Sequence, residues 1–152
     1  MSPQGEPIVM RWPAPVDGAA VLRCAPADTW LGDGLVYGDC GLAPAEVIER
    51  VQDGLYRVLL VQVGHEPAAV VVLEIATCGA PPKKTLSVIA AGGLRMHAWL
   101  GHVQRALREI AAGQECERVV VLGRPGWERA LRQFGWKKQG VVMQAEPKNY
   151  EH

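Results

Sequence analysis

Apolar and polar residues follow two different periods along residues 43–147. Over Met96–Ile110 apolar side chains recur every three or four residues, and polar side chains such as Gln104 fill the opposite face, which predicts an amphipathic helix. Shorter helices are predicted after Pro44 and over Trp127–Phe134, because a proline opens or precedes each of them. Runs of β-branched and aliphatic residues predict strands at Leu55–Val63, Ala68–Ala76, Thr85–Ala91, Glu117–Leu122 and Gly140–Ala145.

The order of these elements predicts the fold class. Ala68–Ala76 and Thr85–Ala91 are apolar on both faces, which is typical of strands covered by helices on both sides of a sheet. A β–α–β unit is formed by the strand Thr85–Ala91, the long helix over Met96–Ile110 and the strand Glu117–Leu122. The two strands of such a unit should be parallel. Leu55–Val63 and Ala68–Ala76 form a hairpin across a short turn. We therefore predict an α/β fold with a central mixed β-sheet flanked by helices.

The first forty-two residues carry a weaker pattern. Ile8–Met10 predicts a short strand, and Asp17–Cys24 predicts a short helix. The glycine-rich stretch Thr29–Leu42 is interpreted as a long loop. We expect three parts of the chain: a loop-rich N-terminal segment at 1–42 that belongs to the same domain, a core at 43–147 and a polar tail at 148–152.

The composition excludes several functions. The 152 residues carry 16 Lys and Arg against 16 Asp and Glu, so the chain lacks the positive excess of a general nucleic-acid binder. Its longest apolar runs are too short to span a membrane, and no signal segment opens it. Four scattered cysteines predict free thiols in a reducing compartment, and we expect a cytoplasmic location. His97 and His102 diverge on the long helix, so no metal site is expected.

The succession of elements extends over Ala43–Pro147: helix, hairpin, central strand, long helix, strand, short helix, Gly-aromatic pair and last strand. Its most specific stretch is Cys116–Met143, in which a helix ends at Gly135-Trp136 before the last strand. This order resembles the GNAT (Gcn5-related N-acetyltransferase) fold. The turn Gly123–Trp127, followed by Gly135-Trp136, resembles GNAT-like proteins encoded by tailed bacteriophages, some of which are virion components.

The resemblance implies a site for acetyl-CoA. In the GNAT fold the pyrophosphate lies on backbone amides at the start of the long helix, in a loop of the pattern Arg/Gln-x-x-Gly-x-Gly/Ala. The corresponding residues here are Arg95, Met96, His97, Ala98, Trp99 and Leu100. Arg95 fits the pattern, whereas Ala98 replaces the first glycine and Leu100 is expected to crowd the path of the phosphates. The resemblance also implies a proton-donating tyrosine five residues before Trp136, where this chain has Leu131.

A general base and a partner surface are predicted from single residues. Glu74 interrupts an otherwise apolar strand, where a carboxylate at the edge of a cleft can accept a proton from a substrate. Trp12, Trp30 and Trp127 are candidates for a partner surface, since tryptophan is favoured at the centres of interfaces.

Three functions remain open. The departures in the acetyl-CoA loop and at Leu131 favour a non-catalytic GNAT-fold protein of the tailed-phage type, which needs no cofactor. Such a protein would act through its surfaces on other protein subunits, phage structural proteins among them, as a virion structural or assembly component. The alternative is an acetyl-CoA-dependent N-acetyltransferase that uses Arg95 and Glu74. The third is a module that binds a phosphate ligand without turnover. The expected location is the cytoplasm of the host cell or a phage virion.

Overall fold

The computed structural model describes residues 6–38, 41–121, 125–140, 145 and 147. The strands in these ranges are β1 (Ile8–Arg11), β2 (Arg57–Val63), β3 (Glu66–Cys78), β4 (Lys83–Gly93) and β5 (Arg118–Val121). The helices are α1 (Pro15–Leu22), α2 (Ala27–Gly38), α3 (Pro44–Gln52), α4 (Met96–Gly113) and α5 (Pro125–Arg132). The order confirms the alternation of strands and helices predicted from Pro44 onward. Of the predicted last strand, Gly140–Ala145, residues 141–144 lie outside the described residues.

The described strands form one sheet in the order β1-β2-β3-β4-β5. The pairs β1–β2, β2–β3 and β3–β4 are antiparallel, whereas β4 and β5 are parallel. Parallel neighbours need a crossover connection, and helix α4 supplies it. The predicted α/β class, with a mixed central sheet and a parallel pair, is therefore confirmed.

Each face of the sheet carries its own core, because alternate residues of a strand point to opposite sides. On one side, which we term the α1–α3 face, the first three helices cover Val58, Val70, Val72 and Ala90. On the other side, the α4–α5 face, the last two helices cover a second core. Members of this second core include Leu59, Val71, Leu73, Val88, Trp99, Leu100, Val103 and Leu107. Helices thus cover both faces, in agreement with the apolar pattern of the central strands.

The loop predicted at Thr29–Leu42 is wrong, because helix α2 occupies most of this stretch. Trp30, Leu31 and Leu35 are 7%, 1% and 8% exposed and pack into the core of the α1–α3 face. Burial of these side chains outweighs the poor helix propensity of the neighbouring glycines. The strand and short helix predicted before it are present as β1 and α1. The N-terminal segment is therefore mainly helical rather than loop-rich, and it packs on the sheet.

Helix α2 approaches β4 closely. A Cβ atom on Gly92 would overlap the carbonyl oxygen of Trp30, and a Cβ atom on Gly34 would lie 2.9 Å from the carbonyl oxygen of Ala91. Only glycine leaves space for such an approach between two backbones. The contact holds the N-terminal helices against the strand that borders the candidate site.

Candidate functional site

Strand β4 extends beyond the described part of β5. The parallel ladder joins Thr85–Val88 to Arg118–Val121, and β4 continues for five further residues, Ile89–Gly93. Among the residues that the structure describes, no strand pairs with the β5 side of β4 along this stretch. The backbone N–H and C=O groups on that side are therefore available to a ligand.

A β-bulge interrupts the ladder between β3 and β4. Val72 pairs with Ala90 and Leu73 pairs with Val88, which leaves Ile89 without a partner in β3. Ile89 and Ala90 both pack against the core of the α1–α3 face, so the alternation of side chains is interrupted here. The bulge lies one residue beyond the last described pair of the β4–β5 ladder.

Helix α4 begins beside this opening without a side-chain cap. Its N-cap residue, Arg95, has the left-handed conformation (φ 60°, ψ 40°), and the Arg95 carbonyl accepts a hydrogen bond from the Ala98 amide at 2.9 Å. The indole N–H of Trp99 donates to the carbonyl of Leu94 at 2.8 Å and holds the turn in place. The first amides of a helix have no intrahelical partner, and the first turn of α4 contains no acidic residue. The positive end of the helix is therefore a suitable place for an anion.

The six residues of the predicted acetyl-CoA loop divide between surface and core. Arg95 and His97 are exposed, Met96 and Ala98 are half-buried, and Trp99 and Leu100 are buried. Leu100 lies on the apolar stripe of α4, one turn before Val103, and its side chain belongs to the core of the α4–α5 face. The expectation that Leu100 crowds the path of the phosphates stays a prediction.

Arg95 is engaged in an ion pair at the surface. Its Nη1 lies 3.3 Å from Oε2 of Glu6, and the two side chains are 50% and 55% exposed. Surface pairs of this kind contribute little to stability, so a ligand anion can displace the Glu6 carboxylate at small cost. Glu6 is consequently a competitor for any anion that binds Arg95.

An apolar cavity lies between the sheet and helices α4 and α5. Its free volume is about 10 Å³, room for about one water molecule, and it is partly open to solvent. Val88 and Val121 contribute to its walls and are also the last described pair of the parallel ladder, so the cavity lies at the end of the described ladder. Other walls come from Leu100, Val103, Trp127 and Trp136.

Gln104 contributes a polar side chain to this cavity, although the sequence pattern placed it on the exposed face of the helix. Gln104 is only 8% exposed. Its Oε1 accepts a hydrogen bond from the Trp136 indole at 3.1 Å, and its Nε2 donates one to the Gly101 carbonyl at 3.1 Å. Arg108 supports the same contact by donating to the Phe134 carbonyl at 2.7 Å. The prediction for Gln104 is wrong because its partner lies 32 residues away, beyond the reach of a single-helix pattern.

The α1–α3 face carries three polar side chains in a row across the sheet. Glu74 and Ser87 are direct partners in the ladder between β3 and β4. Tyr56 directly precedes Arg57, the first residue of β2, and the register of the β2–β3 ladder continued by one position places it beside Glu74. Tyr56, Glu74 and Ser87 form what we term the polar row. The Ile89 bulge lies two positions further along β4, so the polar row adjoins the opening from this face of the sheet.

Arg50 extends the polar row from the last turn of α3. Its Nη1 donates to the Tyr56 hydroxyl at 2.8 Å, and the guanidinium carbon lies 5.4 Å from the centre of the Tyr56 ring. The hydrogen bond to Tyr56 raises the pKa of Arg50, and the carboxylates of Glu46 and Glu74 add to this effect. The sequence pattern indicated Glu74 alone. Arg50 and Tyr56 were missed because their meeting depends on the turn between α3 and β2.

The three tryptophans predicted at a partner surface differ in exposure. Trp12 is 36% exposed, and its ring lies 4.7 Å from the guanidinium of Arg57. Trp127 is half-buried and lines the cavity. Trp30 is buried in the core, so its predicted role at a partner surface is wrong. Leu131, at the position of the implied tyrosine, is also buried.

Two further features concern metals and membranes. The described residues contain no group of three or more His, Cys, Asp and Glu side chains arranged to hold a metal ion. His97 and His102 are both exposed on α4. None of the helices in the described ranges is both long and apolar enough to cross a membrane.

Solved structures share this overall fold. The GCN5-related N-acetyltransferase from Ralstonia eutropha superposes with a TM-score of 0.64 at 14% identity, over 92% of this chain and 99% of that one. An acetyltransferase from Trypanosoma brucei gives 0.61 at 14% identity, over 92% and 99% of the two chains. Glucosamine-6-phosphate N-acetyltransferase from Arabidopsis thaliana gives 0.57 at 11% identity, over 93% and 99%. The chain has the GNAT fold.

The similarity to GNAT structures lies in the backbone and not in the sequence. No protein-family model matches the chain, and no curated protein matches it either. One fold supports many activities, so the function of this GNAT-fold chain has to be argued from its own site residues.

Proposed function

We propose that this chain is an acetyl-CoA-dependent N-acetyltransferase that works at the opening between β4 and β5. The observation that carries the proposal is that the unpaired strand edge Ile89–Gly93 ends beside the uncapped start of α4. A strand edge can pair with the amide groups of an extended ligand, and a helix start can bind its phosphates. CoA carries both kinds of group in one molecule.

The residues at the opening fit acetyl-CoA. Arg95 is exposed and can exchange the Glu6 carboxylate for a phosphate oxygen, beside the first amides of α4. Ala98 adds only a methyl group where the GNAT pattern has glycine, and Leu100 points into the core. Acetyl-CoA supplies an activated thioester carbonyl at the end of the bound arm.

Glu74 is proposed as the general base. Its ladder partner Ser87 lies two positions, about 7 Å, from the bulge at Ile89, so a relay of at least two waters is needed to carry the proton to Glu74. The acceptor nitrogen, bound as an ammonium, passes one proton to the Glu74 carboxylate, forms a C–N bond with the acetyl carbonyl carbon and passes its second proton to the departing sulfur. The C–S bond breaks, and its electron pair passes to the sulfur. A thiolate is a good leaving group near neutral pH, so this step does not require the tyrosine that Leu131 replaces.

Variants of Arg95 and Glu74 separate binding from transfer. Acetyl-CoA at a hundred times its Kd should stabilise the chain by about 2.7 kcal/mol and raise Tm by roughly 5–10 °C. Arg95→Gln should reduce this shift, whereas Arg105→Gln, at an exposed position on the same helix, should not. Glu74→Gln should keep the shift and slow thiol release with a primary amine by about 100-fold or more. No shift at millimolar acetyl-CoA would contradict the proposal.

A non-catalytic role is a second proposal, supported by Leu131 and by the resemblance to proteins of tailed phages. In this role the chain binds other protein subunits of a virion through a surface that includes the partly exposed Trp12 and Trp127. A phosphate-binding module without turnover is the third proposal. The Tm shift with acetyl-CoA and the thiol-release assay separate the three proposals. A Tm shift with transfer supports the enzyme, and a Tm shift without transfer supports the binding module. The absence of both supports the structural role.

A further inference from the structure

We infer that the acceptor of this transferase is a primary amine that also carries a carboxylate or phosphate group, and that Arg50 binds this acidic group. The inference rests on the proposed function and names the substrate class of the acceptor side. It starts from the polar row and from the guanidinium beside it.

Arg50 is a cation held by a neutral partner. Its hydrogen bond goes to the hydroxyl of Tyr56, and its guanidinium lies over the Tyr56 ring. Within the described ranges no carboxylate forms an ion pair with Arg50, whereas Arg95 and Arg132 each have an acidic partner. Arg50 is half-buried as a residue, and its guanidinium has N–H donors to spare that match the planar, two-pronged geometry of a carboxylate or phosphate.

Tyr56 gives this guanidinium a fixed position. The residue is 4% exposed and packs in the core of the α1–α3 face with Val58 and Val72, so its ring cannot move without disturbing that core. A hydrogen bond to the hydroxyl and stacking on the ring restrain Arg50 in two ways. A cation that is already ordered loses less conformational entropy when it binds an anion.

Arg50 and Glu74 place opposite charges on the same part of the α1–α3 face. The Glu74 carboxylate is near enough to contribute to the raised pKa of Arg50 without forming an ion pair with it. An acceptor ammonium at Glu74 and an acidic group at Arg50 would satisfy both charges at once. An amine that lacks a carboxylate or phosphate group gives Arg50 no acidic partner. Its complex therefore lacks one charge-assisted hydrogen bond. The acid group takes no part in the transfer step, in which the amine proton passes to Glu74.

Rates with matched acceptors test the assignment. Thiol release from saturating acetyl-CoA is measured with 2-aminoethyl phosphate and β-alanine, and with ethanolamine and β-alaninamide, which lack the acid. We expect kcat/KM to be about tenfold higher or more for the acid-bearing member of each pair. Arg50→Gln should abolish this preference, and Arg50→Lys, which keeps the charge, should retain part of it. Arg23→Gln is the control, since Arg23 also donates to a neutral side chain, that of Gln52.

Three results would overturn the inference while the proposed function stands. They are equal rates within each pair for the unaltered chain, a preference that survives in Arg50→Gln, and transfer to ethanolamine or β-alaninamide but to neither acid-bearing amine. A chain that does not bind acetyl-CoA contradicts the proposed function instead, and the inference falls with it. Far-UV circular dichroism and Tm of Arg50→Gln distinguish a lost preference from a lost fold.

Discussion

On the α1–α3 face, strand β4 meets helix α2 without room for a methyl group at Gly34 or Gly92, whereas on the α4–α5 face the same strand borders a cavity. Val72 lies in the closely packed core of the first face, and Val88 lines the cavity of the second. Added volume is tolerated only where free space exists. The α1–α3 face therefore fixes β4 in place, while the α4–α5 face leaves space beside the opening.

The largest effect on stability is expected at Gly34. Gly34→Ala would place Cβ 2.9 Å from the Ala91 carbonyl oxygen. We expect the free energy of unfolding to fall by about 2–3 kcal/mol, because a backbone atom cannot move away as the end of a side chain can. Gly32→Ala, in the same helix and with no heavy atom within 4 Å, should be neutral or stabilise by up to about 1 kcal/mol. Urea unfolding measures both. Equal stabilities would contradict the close packing of α2 on β4.

A smaller difference should separate two valines on opposite faces. Val72→Ile adds a methylene group to the closed face, where the residue is 0% exposed, and should destabilise the chain by about 1–2 kcal/mol. Val88→Ile adds the same group beside the cavity and should be neutral or stabilise by up to about 0.8 kcal/mol. The midpoints of urea unfolding give the comparison. A larger loss for Val88→Ile would reverse our assignment of the closed and open faces.

The smallest effect concerns ligand affinity at the start of α4. Glu6→Gln removes the carboxylate that competes for Arg95, and we expect CoA to bind about two- to fivefold more tightly. The gain should shrink as ionic strength rises, because the pair is exposed to solvent. Glu109→Gln, which removes an equal charge from an exposed position further along α4, should leave Kd unchanged. Isothermal titration of both variants checks this; equal Kd values would show that Glu6 does not compete.

Most of the fold was predictable because local periodicity decides it. The apolar stripe of Met96–Gly113 and the β-branched runs on either side carry their own signals, and the parallel pair follows from the length of the crossover. Helix α2 was not predictable in this way. Its glycines predict a loop, and only the burial of Trp30, Leu31 and Leu35 against the sheet makes it a helix.

Less of the candidate site was predictable, since much of it depends on tertiary contacts. Arg95 and Glu74 follow from a loop pattern and a polar break in a strand. The inward direction of Leu100 and the burial of Gln104 require knowledge of what packs on α4. The meeting of Arg50 with Tyr56 depends on how the chain turns between α3 and β2, and no periodic pattern spans that turn.

The unpaired stretch Ile89–Gly93 also bears on how the protein must be handled. An open strand edge is a template on which a β-strand of another molecule can assemble. A cofactor seated along the edge would block it. Purification and storage in the presence of CoA should accordingly limit aggregation at high concentration, apart from any benefit to melting temperature.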